Sequence, residues 1–162
     1  KAFFGENYYL LTDALMSSKE ASRIMKEEKN NQRVFKMFDH VTISVSGIGS
    51  FYPTEESVLA SPEFMPTEDL EKLKQENVSG DIALRFFDHD GQECNTTLKE
   101  RMISISIEQF KKIDRKISLV SGVSKANAVL SALKGGLVDV LILDSNLAEA
   151  LLKLSEDMPS QE

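Results

Sequence analysis

"KISLVSGVSKANAVLSALKGGLVDVLILDSNLAEALL", residues 116–152, is the stretch whose reading decides the fold. It opens with an apolar, β-prone run that breaks at Gly122. Helical spacing follows from Ser124 to Leu133, with Ala126, Val129, Leu130 and Leu133 on one face. Gly135-Gly136 ends that helix. "VDVLILD" is then a continuously apolar strand, and Leu147, Ala148, Leu151 and Leu152 mark a last helix. Apolar strands alternating with helices predict parallel pairing, with the strands buried on both faces. The class expected is α/β, a mostly parallel sheet flanked by helices.

Upstream the signals are shorter. Tyr8 to Leu11 reads as a strand, and Ser17 or Ser18 can cap a helix carrying Ala21, Ile24 and Met25. A second helix carries Val34, Phe35 and Phe38. "HVTISVSGIGS", residues 40–50, is a β-branched strand running into Gly47-Ile48-Gly49-Ser50. From Tyr52 to Asn77 the chain is polar and carries three prolines, and Thr67 with Glu68 and Asp69 opens a short helix there. Phe86 and Phe87 are candidate core residues, and Asp90-Gly91 is a turn. "RMISISI", residues 101–107, alternates like a strand, and Glu108 to Lys112 reads as a short helix.

The bulk numbers bound the function. A chain of 162 residues with 41% hydrophobic content can bury the core of one ordinary domain. A net charge of −7, with 19 Lys and Arg spread along the chain, argues against a nucleic-acid-binding surface, which needs clustered positive charge. The single cysteine, Cys94, excludes an internal disulfide and fits a reducing cytoplasm. No apolar run approaches the roughly 20 residues of a membrane span.

In an open parallel sheet, ligands sit beyond the carboxyl ends of the strands. Three strand ends look equipped: Gly47-Ile48-Gly49-Ser50, Gly122-Val123-Ser124-Lys125 and Asp144-Ser145. At the second, a helix start offers unpaired N–H groups, Ser124 and a full positive charge on Lys125. An anion held there and a solvated lysine beside an ordinary cap both explain Lys125, and composition and spacing leave the two open. Gly47 and Gly49 resemble the start of a dinucleotide fingerprint, but Tyr52 stands where the third glycine belongs, so a tight turn with close backbone approach is the better reading. Gly80-Asp81-Ile82 alone reads as a turn or cap. Asp88-His89-Asp90 is explained by its Asp-Gly turn without a metal. Cys94 has no base nearby in sequence and reads as a small half-buried residue.

"VSGIGSF", "SGDIALRFFDHDG" and the stretch quoted first occur in an order and spacing that resemble the C-terminal effector-binding domain of SorC-type bacterial transcriptional regulators, the sugar-binding regulators of the DeoR group. The resemblance spans roughly Tyr8 to Leu154. It implies the fold shared with sugar-phosphate isomerases and glucosamine-phosphate deaminases, no cofactor or metal, a cytoplasmic location and a phosphorylated sugar or related metabolite as ligand. Lys125 matches the lysine that contacts the ligand's phosphate, Asp81 an acidic residue that contacts its hydroxyls, and Ala83 a neighbouring wall position. With Gly47, Gly49, Gly122 and Ser124 these form the candidate ligand-binding set. The chain departs from the pattern at Ala83, where relatives often carry a larger residue, and at Ser121, where many have a second glycine.

The resemblance further implies assembly as a dimer or tetramer, and contact with DNA only through a separate helix-turn-helix domain absent from these residues. Residues 1–154 are expected to be the C-terminal portion of one effector domain whose phosphate loop lies upstream, and 155–162 a polar tail. The function expected is ligand sensing. The alternative is a sugar-phosphate isomerase or deaminase with Asp81 as base and Lys125 as electrostatic clamp. Both side chains are expected at the mouth of the sheet rather than in its core.

Overall fold

A computed structural model describes residues 5–54 and 57–156. In chain order the elements are α1 (Lys19–Glu27), α2 (Lys29–Met37), β1 (Ile43–Ser46), β2 (Gly49–Ser50), α3 (Thr67–Gln75), β3 (Gly80–Ile82) and β4 (Arg85–Phe87). They continue with α4 (Leu98–Arg101), α5 (Ile107–Lys111), β5 (Arg115–Val120), α6 (Ala126–Lys134), β6 (Val140–Leu143) and α7 (Ser145–Glu156). Local chemistry sets several boundaries. Ser18 caps α1 by accepting from the Ala21 N–H at 3.1 Å, and Ser106 with Gln109 forms a capping box on α5. Gly136, at φ +68°, follows the end of α6 in the left-handed region open to glycine.

Among the described residues the strands form two sheets. One is parallel in the order β1-β5-β6, and the other is antiparallel in the order β2-β3-β4. The parallel sheet with its helices is the expected α/β unit. The antiparallel sheet was not expected: Gly80-Asp81-Ile82 is not a turn or cap but strand β3. Helix α6 contacts both β2 and β3 and also α7. The fit is close. A Cβ on Gly80 would lie 2.8 Å from the Ala128 Cβ and 2.8 Å from the Phe87 ring, and Gly91 and Gly135 meet backbone to backbone. The chain thus leaves the parallel sheet at Ser46, crosses at Gly47-Ile48, and enters the antiparallel sheet at Gly49.

Two apolar clusters hold this arrangement. One gathers Ile82, Phe87, Val120, Val129, Leu137 and Leu147. The other gathers Met65, Leu73, Phe86, Leu98 and Met102 with buried Cys94. Both phenylalanines are core, as expected. Cys94 is buried rather than half-buried, and burial pushes its thiol up to about 12, leaving it unreactive at neutral pH.

Several elements differ from expectation. Residues 8–11 form no strand in the structure; the Leu11 N–H instead donates to Asn31 Oδ1 at 2.9 Å. "RMISISI" is not a strand either, apart from one bridge between Met102 and Leu15. Two of its carbonyls are taken by a side chain: the Arg85 guanidinium donates to the Ile105 oxygen at 2.7 Å and to the Ser104 oxygen at 3.0 Å, and also to the Lys99 oxygen just upstream at 3.0 Å. The α6 helix starts at Ala126, preceded by one tight turn over Val123–Lys125. The parallel strands are not buried on both faces. Ile43 is 58% exposed, Val45 68%, Leu119 50% and Ile142 53%, because among the described residues the helices cover one face. Helix α7 includes Ser155 and Glu156, and the rest of the expected tail lies outside the described residues. Among the described residues no helix is long and apolar enough to cross a membrane.

Candidate functional site

A cleft of about 460 Å³ opens where the chain passes from one sheet to the other. It brings together five residues of the expected set: Gly47, Gly49, Asp81, Ala83 and Lys125. Its walls also include Ser46, Ile48, Ser57, Leu59, Phe64 and Leu84.

Asp81 is placed by pairing. On β3 it faces Gly49 of β2 in antiparallel register. A side chain at position 49 would collide with it, since a Cβ there would lie 2.0 Å from Asp81 Oδ1. The reading of Gly49 as a point of close approach holds for this reason, while a Cβ on Gly47 would meet only the Leu119 carbonyl, at an ordinary 3.8 Å. Asp81 does not sit at an open mouth. It is 8% exposed, and burial pushes its carboxyl up to about 6, against the pull of a hydrogen bond from Ser57 and the charge of Lys125. At neutral pH the group is therefore largely ionised but poorly solvated, a strong acceptor for a hydroxyl.

Lys125 ends the tight turn that follows β5 and lines the same cleft. Its backbone N–H donates to the Gly122 carbonyl at 3.2 Å. The helix-start lysine thus lines the same cavity as the buried carboxylate, close enough for its charge to act on Asp81.

Gly122 and Ser124 do not line the cleft; they shape its support. Gly122 adopts φ +104°, a conformation that disfavours any side chain. Its N–H donates to Asp144 Oδ2 at 2.9 Å. The Ser124 carbonyl accepts from the Ser50 hydroxyl at 3.4 Å. Asp144 also accepts from the Leu147 N–H at 3.0 Å, and these two N–H groups hold its carboxyl below the usual range. The third equipped strand end is accordingly a helix cap tied to the turn before Lys125.

Ser57 and the turn at Ala83–Leu84 had no signal in the sequence, although Ala83 itself was expected as a wall position. Ser57 lies in the polar stretch after Tyr52, and its hydroxyl donates to Asp81 Oδ1 at 2.5 Å. Ala83 and Leu84 form a two-residue hairpin turn at φ +50° and +64°. Such turns normally use Asn or Gly, and neither residue here announces one. The Asp88-His89-Asp90 segment is the expected turn: Asp88 Oδ1 accepts from the Asp90 and Gln92 N–H groups. Among the described residues no group of three or more metal-ligating side chains occurs.

Comparison with known proteins identifies the family. The family model described as "Putative sugar-binding domain" matches residues 1–153. The deoxyribonucleoside regulator of Bacillus subtilis is 26% identical over 144 residues, covering 89% of this chain and 45% of that protein. The sorbitol operon regulator of Klebsiella pneumoniae is 27% identical over 127 residues, covering 78% of this chain and 40% of that protein. The chain thus spans less than half the length of these relatives. A solved DeoR family transcriptional regulator from Listeria monocytogenes superposes with a TM-score of 0.81 at 31% identity, covering 88% of this chain and 57% of that one. The fold agrees with these matches, and the chain belongs to the sugar-binding domain family found in DeoR- and SorC-type transcriptional regulators.

Proposed function

We propose that this chain is the ligand-sensing part of a sugar-responsive bacterial transcriptional regulator, binding a phosphorylated sugar or related metabolite. The observation that carries the reading is the cleft itself, which sets a buried carboxylate and a lysine in one cavity of a size suited to a small metabolite. Lys125 supplies charge to the phosphate, and Asp81 accepts from the sugar's hydroxyls. Gly49 leaves room for the Asp81 carboxylate, Gly47 lines the ligand's cavity, Ala83 forms wall, and Gly122 and Ser124 hold the turn that carries Lys125. Operator DNA is contacted by a different part of the regulator, since this chain is acidic. A site of action on DNA accords with the cytoplasm. The exposed apolar face of the parallel sheet supports assembly of the chain into a dimer or tetramer, which sedimentation tests.

Calorimetric titration of Lys125→Ala tests the site. A charge-assisted contact contributes about 1.5–3 kcal/mol, so affinity for a phosphorylated ligand should fall about ten- to a hundredfold. The dephosphorylated sugar should bind weakly to both proteins. Unchanged affinity for the phosphorylated form would move the phosphate elsewhere. A second reading is favoured by one observation: a carboxyl near 6 also suits a general base in an isomerase or deaminase. The names of the relatives speak for sensing, and turnover of a sugar-phosphate panel distinguishes the two.

A further inference from the structure

Ser57 is held from three sides. Its backbone N–H donates to the Ser50 carbonyl at 3.0 Å. Its hydroxyl oxygen accepts from the Leu59 N–H at 3.1 Å, capping the short turn over Val58–Ala60. With that lone pair taken, the hydroxyl proton is directed at Asp81 Oδ1. Oδ1 is also the atom that a Cβ at position 49 would strike. One carboxylate oxygen is therefore enclosed by Ser57 and Gly49, whereas Oδ2 accepts no hydrogen bond from a described residue. Asp81 itself lines the cleft.

We infer that Ser57 is a positioning and specificity-determining residue of the ligand site: it reserves Oδ1 of Asp81, so that Asp81 presents Oδ2 to a single ligand hydroxyl rather than both oxygens to a vicinal pair. This rests on the reading of the cleft as a sugar-phosphate site. The hydroxyl does two things. It fixes the rotation of the carboxylate, and it stabilises the charged form in a place where burial opposes charge. The other charge facing Asp81 among the described residues is Lys125. The strands on either side present Gly49 and Phe86, which do not titrate.

The test uses an isosteric pair. Ser57→Thr keeps the hydroxyl, Ser57→Val has the same shape without it, and Ser57→Ala removes the hydroxyl with no added bulk. The Asp81 carboxyl is titrated by carbon-13 NMR in each, without ligand. The midpoint should stay near the wild-type value in Ser57→Thr. It should rise by about one pH unit in Ser57→Val and Ser57→Ala, the size of one hydrogen bond to a charged group. Two probes are then titrated at pH 6 and at pH 8.5. Sorbitol 6-phosphate, which offers both phosphate and hydroxyls, should bind about tenfold more weakly to the variants without the hydroxyl at pH 6, with a smaller gap at pH 8.5. Inorganic phosphate, which has no carbon-borne hydroxyl for Asp81, should not distinguish the variants. Equal midpoints in Ser57→Thr and Ser57→Val overturn the proposal. If wild-type chain bound no sorbitol 6-phosphate, that ligand would be excluded, and the carboxyl midpoints would still decide the role of Ser57.

Discussion

Gly49 and Asp81 face each other across the β2–β3 pairing so closely that the carboxylate fills the space a side chain at position 49 would need. The Ser57 hydroxyl occupies the same corner, 2.6 Å from the position of that Cβ. Gly49→Ala should therefore destabilise the fold by about 1–3 kcal/mol, the usual range for overpacking. It should also displace Asp81 and weaken ligand binding. Gly47→Ala, with nothing nearer than 3.8 Å, should change stability by less than about 0.5 kcal/mol. Urea unfolding of the two variants checks this contrast; equal effects would show that position 49 has room to relax.

Asp81→Asn tests the burial of the charge. The native carboxyl is raised to about 6 from an ordinary value of 3.8. Below about pH 3.8 the group is protonated in both folded and unfolded chains and costs nothing. As pH rises, the unfolded chain ionises first, so native stability falls through the interval up to about 6 and stays lowered above it. That interval corresponds to about 3 kcal/mol. Asp81→Asn keeps an oxygen for Ser57 and lacks the charge, so it should be more stable than wild type by about 1–3 kcal/mol at pH 8. The advantage should shrink toward pH 4. Thermal unfolding across that range measures it, and a pH-independent difference would contradict the assignment. Gained stability should accompany lost affinity for ligand hydroxyls, as expected of a binding group held at a cost.

Asp81 and Lys125 were legible in the sequence for different reasons. Lys125 stands at a strand-to-helix junction that periodicity alone locates, because β5, α6 and β6 each have strong, unmixed patterns. Asp81 in isolation looked like a turn; only the motif resemblance marked it as part of a site, and its burial depends on pairing with a strand some thirty residues earlier. Ser57 was illegible because its role is a contact with a residue 24 positions away, and a serine in a polar, proline-bearing stretch carries no signal of that. Alternation failed at residues 101–107 because the polar position between the isoleucines is buried too. Ser104 is as enclosed as its neighbours, and its hydroxyl donates to the Ala83 carbonyl.

The Ala83–Leu84 turn carries strain. Each residue adopts a left-handed conformation that costs an L side chain about 1–2 kcal/mol. Ala83→Gly should relieve one of these and stabilise the domain by about 1 kcal/mol after allowing for the looser unfolded chain. Leu84→Gly relieves the other but removes an apolar wall of the cleft that also packs on the second core cluster. Stability should then change little while ligand affinity falls. Denaturation and calorimetry on the two variants separate backbone strain from wall packing. Parallel behaviour in both assays would mean that Leu84 contributes no contact.

Arg85 decides what the segment 99–106 becomes. Its guanidinium, buried on β4, donates to three backbone carbonyls and lies 3.6 Å from Glu93, which Lys99 also pairs at 2.6 Å. Those carbonyls would otherwise seek a neighbouring strand, so the arginine replaces a sheet partner with a planar fork. A lysine in its place has one ammonium and cannot reach three carbonyls in that geometry. Arg85→Lys should therefore destabilise the protein by at least about 2 kcal/mol, since buried acceptors lose their donors. The effect should reach the cleft, because Ser104 from the same segment donates to the Ala83 carbonyl. Amide exchange should quicken over residues 102–106 and at Ala83 before it does in β5 or α6. Uniform acceleration across the whole domain would instead show that Arg85 contributes only to global stability and does not hold this segment against the cleft wall.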